Sequence, residues 1–335
     1  MKSSKHLLTL GLALGAAGLV SCSTPKPECT VAATTVFGAG LSGVQAYSMR
    51  YVLVSGTGPC AELKGEIVGM QPYHPPTADD PQVRDLSKTS IAIRTQSHGE
   101  MAWMNEDFGL VSEGDAPNAI GDFTASDPDD NDFCRVQTLS EARVVFPGAT
   151  IDTDLEIPCM TDQECTDAGA AGAVCTLLDP MDPASGSCIA SEVFEQTTMA
   201  YRWSNVQVYV TAAATGTQLT ADVEIELNGC TAQYKAIGMW PAVDCTVGAD
   251  EMTGAPIGDN RMCHPEPDPT NAELPRPYGS GINPDFGPIV CNPDYGPVGI
   301  VNQYYGGGFH YAMCTPGTDT LPALEGFPPV AEQQP

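Results

Sequence analysis

The segment Gln218-Leu-Thr-Ala-Asp-Val-Glu-Ile-Glu-Leu-Asn-Gly-Cys230 alternates polar and apolar side chains and then reaches Asn228-Gly229. Strict alternation places the two classes of side chain on opposite faces of a β-strand. Asn-Gly is the strongest short hairpin signal, because both central residues of a type I′ turn need a positive φ. The segment therefore predicts a β-hairpin whose second strand begins at Cys230 and returns to Trp240.

The two-residue turn also determines which residues of this hairpin face each other. Leu227 should lie opposite Cys230 on the apolar face, and Asp222 opposite Lys235 on the polar face. Opposite charges that face each other stabilise an antiparallel pair, and a slip of one residue would turn every apolar side chain outward. The pattern therefore predicts a single register.

Cys230 is expected to form a disulfide with a distant cysteine. A straight strand from Cys230 to Trp240 carries the chain about 33 Å from the turn, at ~3.3 Å per residue. The five residues that follow cannot easily bring Cys245 back, unless Gly238 bends the strand. We therefore expect Cys230 and Cys245 to have different partners.

Short strands and turns continue through much of the chain. Tyr47–Leu53 and Tyr201–Val210 also alternate, and 29 prolines and 34 glycines interrupt any long helix. Ser97 and His98 fall in a strand-like segment, so their side chains should point to opposite faces and cannot act together. Neighbouring strands with one apolar face need a second layer. The predicted fold class is all-β, with an antiparallel β-sandwich-like body over residues 31–245.

The chain of 335 residues is strongly acidic. It has 42 acidic and 14 basic side chains, for a formal net charge of −28. Such a surface repels nucleic acid and anionic lipid head groups, so no nucleic-acid partner is predicted. The charge is typical of a protein that stays soluble at an anionic cell surface, whereas cation binding needs ligands that converge on one point.

The N-terminus has the pattern of an export signal. Lys2 and Lys5 precede an uncharged apolar run over residues 7–20. The last two residues of this run begin the segment Leu19-Val-Ser-Cys22. The run of roughly 14 residues is too short to span a bilayer. The pattern therefore indicates a cleaved signal and an exported protein.

The four residues that end at Cys22 resemble the lipobox of bacterial lipoproteins. The resemblance implies that residues 1–21 are a signal peptide, that Cys22 receives the lipid, and that residues 22–30 form the anchor and a short tether. The body would then be held at a membrane through the N-terminal lipid. Ser23 replaces the Asp that retains such lipoproteins in the inner membrane, which implies the outer membrane, on either face. The alternative is a secreted protein in which Cys22 joins a disulfide.

Thirteen cysteines are the second strong signal. If Cys22 carries lipid, twelve remain, and an even number in an exported chain predicts up to six disulfides. The absence of any Cys-x-x-Cys pair argues against zinc or haem. The disulfide candidates are Cys29, Cys60, Cys134, Cys159, Cys165, Cys175, Cys188, Cys230, Cys245, Cys263, Cys291 and Cys314.

Residues 159–188 differ in kind from the rest, because four cysteines fall within 30 residues. The segment resembles the small four-cysteine modules of exported myxobacterial proteins, including uncharacterised outer-membrane lipoproteins. So short a segment cannot build a core without covalent staples, and three connectivities stay open. We predict a disulfide-rich module that interrupts the sandwich-like domain. Residues 246–335 are rich in Pro and Gly and are predicted to form a loop-rich region held by disulfides.

One acidic loop has the spacing of a calcium site. Asp127, Asp129 and Asn131 occupy the first, third and fifth positions of a calcium-binding loop, but Asp132 replaces the glycine at the sixth. Thr138 stands where an EF-hand has Glu, so the loop is not an EF-hand. Two interpretations remain: a solvated acidic turn beside Cys134, or a looser Ca²⁺ site formed by Asp127, Asp129, Asn131 and Asp132.

No catalytic residue can be assigned, since neither H-E-x-x-H nor G-x-S-x-G is present. The sequence is typical of a lipid-anchored cell-envelope protein with a structural or binding role and no cofactor. Its partner would be a surface protein or a polysaccharide. The alternatives are an exported hydrolase, which needs a cleft that brings His98 or His310 together with two carboxylates, and a calcium-dependent binding module.

Overall fold

The computed structural model describes residues 27–32, 34, 45–110, 114–177, 186–212, 215–252, 254–272, 278–282, 289–295 and 311–317. Cys22 lies outside them. The helices are α1 (Gln96–Asp107), α2 (Asp162–Asp167) and two short 3₁₀ helices (Pro59–Ala61, Asn260–Cys263). The strands are β1 (Tyr47–Gly56), β2 (Gly65–Tyr73), β3 (Ser90–Thr95), β4 (Ala119–Asp122), β5 (Phe133–Thr138), β6 (Ala142–Phe146), β7 (Ala149–Pro158), β8 (Val174–Leu177), β9 (Gly186–Phe194), β10 (Thr197–Val210), β11 (Thr215–Leu227), β12 (Cys230–Met239), β13 (Thr246–Ala249), β14 (Pro256–Gly258), β15 (Ile289–Tyr295) and β16 (Tyr311–Pro316).

Nine of these strands form one antiparallel sheet in the order β4-β3-β2-β1-β12-β11-β10-β5, with β6 also paired to β10. The two ends of this order meet, because the backbone N–H of Thr124, just after β4, donates to the Arg135 carbonyl of β5 at 2.8 Å. A Cβ added to Gly121 would lie 2.8 Å from the Thr138 carbonyl oxygen, so this close approach needs glycine. The sheet therefore curls until its edges touch.

The main core lies inside the curled sheet. Trp203, Tyr201, Tyr234 and Tyr47 are among its largest fully buried side chains, and Met104 of α1 packs in the same cluster. Burial of a large apolar side chain contributes roughly 1.5–3 kcal/mol, so these residues dominate the stability of the body. The all-β antiparallel prediction is confirmed. The second layer expected for the apolar faces is supplied by the curvature of the same sheet and by α1.

The hairpin has the predicted register. Leu227 lies opposite Cys230 and Asp222 opposite Lys235. The turn residue Asn228 has a φ of 50°, in the left-handed region that a type I′ turn requires. The Lys235 ammonium forms an ion pair with the Asp222 carboxylate, as the facing charges predicted.

Helix α1 corrects the expectation that Ser97 and His98 lie in a strand. Both residues belong to the first turn of α1, where the Thr95 hydroxyl caps the helix by accepting from the His98 backbone N–H at 3.2 Å. The segment that follows contains Glu, Met and Ala, which are strong helix formers. Local propensity and the cap therefore outweigh the strand-like pattern around them.

All twelve disulfide candidates are paired, in six disulfides. Cys230 bonds with Cys60, and Cys245 with Cys291, so the expectation that these two cysteines have different partners is confirmed. The six pairs are Cys29–Cys134, Cys60–Cys230, Cys159–Cys175, Cys165–Cys188, Cys245–Cys291 and Cys263–Cys314.

The four-cysteine module caps a long β-ribbon formed by residues 149–177 and 186–194, which we call the arm. Its sheet has the order β7-β9-β8, with α2 packed against β8. Phe146 pairs with Thr197 in the main sheet and Ala149 pairs with Phe194 in the arm, which is the same register. The arm therefore extends the β6–β10 ladder outward, and the module is inserted between strands as predicted.

The C-terminal region contains the pairs β13–β14 and β15–β16 and is fastened by the last two disulfides. It packs at one end of β1 and β12, where the Ser48 hydroxyl donates to the Cys314 carbonyl at 2.7 Å and the Cys314 N–H donates to Val243. Met239 and Ile282 are buried in its small separate core. None of the helices among the described residues is long and apolar enough to cross a membrane.

Candidate functional site

A polar groove lies on the outer face of the main sheet, where β1, β12, β11 and β10 run side by side. It encloses about 470 Å³, and its floor is formed by Trp203, Val223 and Tyr234, whose side chains point into the core. Residues that alternate with these three point outward, so the groove is polar above an apolar layer. Its walls are Val54, Arg202, Ser204, Asp222, Glu224, Gln233 and Lys235. We call this feature the outer-face groove.

Arg202 is the most heavily bonded residue of the outer-face groove. Its guanidinium donates to Glu141 at 2.6 Å, to Glu224 at 2.7 Å and to Glu226 at 2.8 Å. These bonds, chiefly the one to Glu226, raise the pKa of Arg202 above its ordinary value. The side chain is 39 % exposed, and ion pairs at that exposure contribute little stability, so the arrangement mainly holds the four groups in place.

Lys235 and Asp222 form the other charged pair of the outer-face groove. The Asn205 side-chain amide also donates to Asp222 at 2.7 Å, so this carboxylate is held from two sides. Around these groups the groove offers guanidinium, ammonium, carboxylate, amide and hydroxyl groups on a pre-formed surface. Such a mixture of donors and acceptors suits a polyhydroxylated ligand better than an apolar one.

A second polar cluster is sealed inside the core. Glu66 is fully buried and accepts from the Tyr51 hydroxyl at 3.0 Å, from the Ser97 hydroxyl at 2.8 Å and from the Ser97 backbone N–H at 3.1 Å. The hydroxyl of Tyr201 faces the same carboxyl. Burial raises the pKa of Glu66 above its ordinary value, because the charged form loses its hydration.

His98 lies next to this cluster with no exposed surface. Its Nε2 lies 3.4 Å from the Met199 carbonyl oxygen, its Nδ1 lies 3.3 Å from the Thr95 hydroxyl, and its ring contacts Tyr201 edge-on. Burial lowers the pKa of His98 to about 4. Ser97 is thus bonded to Glu66, whereas His98 is bonded to Thr95 rather than to Ser97. None of the three side chains is exposed in a cleft that a substrate could enter.

The stability of the protein should fall on acidification in a way that depends on His98. In the unfolded chain this histidine takes up a proton near pH 6.5, whereas in the fold its pKa is about 4. The unfolded state therefore binds more protons between these values, and stability is lost as pH falls from 6.5 towards 4. The difference in pKa corresponds to about 3 kcal/mol.

The measurement is the free energy of unfolding of the wild type and of His98→Asn at pH 7 and pH 4.5. His98→Asn should be less stable at pH 7 and should show a flatter pH dependence than the wild type. Glu66 acts in the opposite sense, because its raised pKa removes stability as pH rises above 4.5. Only the difference between the two proteins isolates His98. Parallel pH profiles would contradict the assignment.

The predicted calcium loop is built around Asp129. Its Oδ1 accepts from the backbone N–H groups of Asn131 and Phe133, and its Oδ2 accepts from Arg135 at 3.0 Å. These donors, with that guanidinium, lower the pKa of Asp129 against the opposing effect of its burial. Both oxygens of Asp129 are thus engaged within the loop, which stands beside the Cys29–Cys134 disulfide as expected. Calcium binding by Asp127, Asp129, Asn131 and Asp132 stays a prediction.

Sulfur atoms converge at two places in the described part of the chain. Cys159, Cys165 and Cys188 form one group within 4.8 Å, and Cys245, Cys263 and Cys314 form the other. Each group is a point where two disulfides pack together. A disulfide sulfur is not the thiolate that binds zinc, so both groups are structural.

Sequence reasoning identified part of the outer-face groove and none of the buried cluster. Alternation placed Asp222 and Glu224 on the polar face, but nothing local showed that Arg202 would reach Glu141, which is 61 residues away. The sequence of β10 does contain one signal of this geometry. Its alternating apolar residues are odd-numbered up to Trp203 and even-numbered from Val206 onward. A shift of that kind marks a β-bulge. His310 and Cys22 lie outside the described residues.

Comparison with known proteins places the chain in a family. The model of the MlpA family matches residues 45–241, which is more than half of the chain and spans β1 to β12. The "Putative lipoprotein MlpA" of Myxococcus xanthus is 32% identical over 109 residues, which cover 32% of this chain and 37% of that protein. The match thus spans little more than a third of the length of this relative. No solved structure matches. The resemblance to lipoproteins of myxobacterial type is confirmed, and the chain belongs to the MlpA family.

Proposed function

We propose that this protein is a lipid-anchored cell-envelope protein that binds a polysaccharide through the outer-face groove and performs no chemistry of its own. The observation that supports the proposal is the separation of the outer-face groove from the buried polar cluster around Glu66. The groove is open and lined by held donors and acceptors, whereas Ser97, His98 and Glu66 are buried without access. A binding surface needs the first arrangement, and a hydrolase needs reactive groups in an accessible cleft.

The geometry of the outer-face groove supports a sugar ligand in particular. Carboxylate, guanidinium and amide groups each present two neighbouring hydrogen-bonding atoms, which match the adjacent hydroxyls of a sugar ring. Arg202 and Lys235 are already neutralised by carboxylates, so the groove offers no free positive charge for an anionic chain. The proposal therefore specifies a polysaccharide whose contact segment is neutral.

A bulky substitution in the outer-face groove should weaken this binding. Ser204→Trp fills the groove from β10, and we expect it to reduce retention on the polysaccharide about tenfold, the loss of roughly 1.4 kcal/mol of binding free energy. The measurement is co-sedimentation of the full-length protein, in detergent, with insoluble cell-envelope polysaccharide, namely peptidoglycan sacculi and extracellular polysaccharide assayed separately.

The matched control is Thr231→Trp, which adds the same ring to the same face of β12 outside the outer-face groove. Thr231→Trp should bind as the wild type does. Equal loss in both variants would show a nonspecific effect of the added ring. No retention of the wild type on either polysaccharide would remove the proposal.

We also propose the outer membrane as the location. Support comes from the residue after the lipobox, which is Ser23 and not Asp, and from a relative whose name describes a lipoprotein. Separation of the inner and outer membranes on a density gradient, followed by detection of the protein, tests the location. Recovery with the inner membrane would contradict it.

A further inference from the structure

The arm stands apart from the body of the protein. Only its base, through Ala149, Ile151 and Phe194, packs on the main core. The outer part has its own small cluster, in which Leu155 and Ile157 pack against the disulfide-bonded cysteines of the module. The elements β7, β8, β9 and α2 make their main contacts with one another. The arm is therefore a self-supported ribbon rather than a layer of the body.

Several large apolar side chains are exposed to solvent on the described surface of the arm. Met160 is 71% exposed, Val193 59% and Val174 53%. Met160 and Val174 belong to the disulfide-stapled end of the ribbon, and Val193 lies near its base. Flexible methionines are common at surfaces that bind other proteins. Exposed apolar groups on a rigid projection are typical of a contact surface.

The charge of the arm indicates what that surface would contact. The described residues of the arm, 149–177 and 186–194, contain seven acidic residues and no Lys, Arg or His. Several of the described carboxylates bond with neutral groups of the arm itself, as when Asp152 accepts from the Ser191 hydroxyl at 2.6 Å and Asp162 from the Cys175 N–H at 2.7 Å. Such a field repels anionic polysaccharide and lipid and attracts a basic protein surface.

The position of the anchor leaves the end of the arm free. Six residues separate Cys22 from Cys29, and this segment can reach about 25 Å. Cys29 is bonded to Cys134, which lies opposite Val208 near the end of β10. The arm leaves from the other end of β10, and the path from Val208 back to Ser187 is up to about 70 Å at ~3.3 Å per residue. The module and the anchored end of the body thus lie at opposite ends of the path formed by β9 and β10.

We propose that the disulfide-stapled end of the arm is a docking surface for a protein with a Lys- and Arg-rich face, displayed away from the membrane that holds the lipid. The display rests on the lipid anchor of the proposed function, whereas the docking surface does not. Carboxylates attract the partner and set its orientation, and Met160 and Val174 supply the apolar contact. The outer-face groove takes no part in this contact.

Two variants with the same change in net charge test the role of the arm. Three acidic side chains are neutralised in each, on the arm or on the body. The arm variant carries Glu156→Gln, Glu164→Gln and Asp167→Asn, and the body variant carries Asp79→Asn, Glu106→Gln and Asp107→Asn. The probe is a fluorescent peptide of alternating lysine and leucine, titrated with the full-length protein in detergent. We expect at least fivefold weaker binding for the arm variant and less than twofold for the body variant.

The same surface should trap a protein in intact cells. A photo-cross-linking amino acid placed at Met160 should form a protein adduct that disappears in the arm variant and persists in the body variant. The control position is Leu86, which is 73% exposed on the body. Equal weakening of both variants in the titration, or no protein adduct at Met160, would overturn the proposal.

Different variants test polysaccharide binding by the outer-face groove and protein docking on the arm, so failure of one proposal can be distinguished from failure of the other. Ser204→Trp should reduce polysaccharide retention about tenfold and leave both the peptide affinity and the Met160 adduct unchanged. The arm variant should weaken peptide binding and lose the Met160 adduct, and it should leave polysaccharide retention unchanged. Loss of the adduct in Ser204→Trp would mean that the outer-face groove, and not the arm, contacts the protein partner.

Discussion

Replacing Cys60 and Cys230 together by alanine is expected to lower the free energy of unfolding by about 4 kcal/mol, because this disulfide closes the longest covalent loop of the fold. The two cysteines are 170 residues apart in the sequence. Their bond joins the connection between β1 and β2 to the start of β12, next to the hydrogen bond from the Tyr234 hydroxyl to the Cys60 carbonyl at 2.6 Å. Without it, the unfolded chain regains most of the entropy that the loop had removed.

The measurement is urea unfolding of both proteins under oxidising conditions, with the midpoint read from tryptophan fluorescence. Trp203 is buried in the main core and reports on the body. The control is the double variant Cys159→Ala and Cys175→Ala, whose loop spans only 16 residues and lies within the arm. Because the arm has its own core, this control should leave the midpoint of the body nearly unchanged. A larger loss in the control would show that the arm stabilises the body.

The hairpin shows what sequence alone can establish. Alternation over Gln218–Leu227 and the Asn228-Gly229 turn are local signals, and together they determine both faces and the register. The prediction that Cys230 does not form a disulfide with Cys245 followed from the length of the strand between them. Its observed partner, Cys60, lies far away in the sequence. Where a turn is two residues long, geometry leaves little freedom, and prediction succeeds.

The closure of the sheet could not be predicted from local sequence patterns. β5 and β6 both pair with the same edge of β10, one on each side of a bulge where Asn205 has a φ of 50°. Alternation shows that β10 is a strand, but it contains no information on which distant strand lies beside it. Only the packing of the whole core decides that, as it decides the contact of Gly121 with β5. The curled form of the body therefore had to come from the structure.

The buried polar cluster was beyond prediction for a related reason. Glu66 lies in a strand and Ser97 in α1, and each on its own is typical of an exposed polar residue. Their hydrogen bonds exist only because α1 packs on β2 and β3, so neither burial nor the shifted pKa values of Glu66 and His98 follow from local pattern. The hydrolase alternative required His98 or His310 in a cleft with two carboxylates. Burial leaves His98 without access, and His310 lies outside the described residues.

Cys22→Ser should remove the protein from the membrane or leave the precursor uncut, an all-or-none change. The argument comes from cysteine pairing as well as from the lipobox. The other twelve cysteines bond with one another in six disulfides, so the chain offers Cys22 no disulfide partner. One acyl chain holds a protein only weakly, whereas two or more give stable anchoring, at about 0.8 kcal/mol per buried methylene. Loss of the acylated thiol therefore removes the whole attachment.

The matched control is Cys29→Ala, which removes the next cysteine along the chain and breaks the Cys29–Cys134 disulfide without touching the lipobox. Radiolabelled palmitate should enter the wild type and Cys29→Ala, and both should sediment with membranes. Cys22→Ser should take up no label and should appear in the soluble fraction or at the size of the precursor. If Cys22→Ser were cut and still sedimented with membranes, the attachment would have to come from another part of the chain. The orientation inferred for the arm would then fail, while the charge of its surface would still select a basic partner.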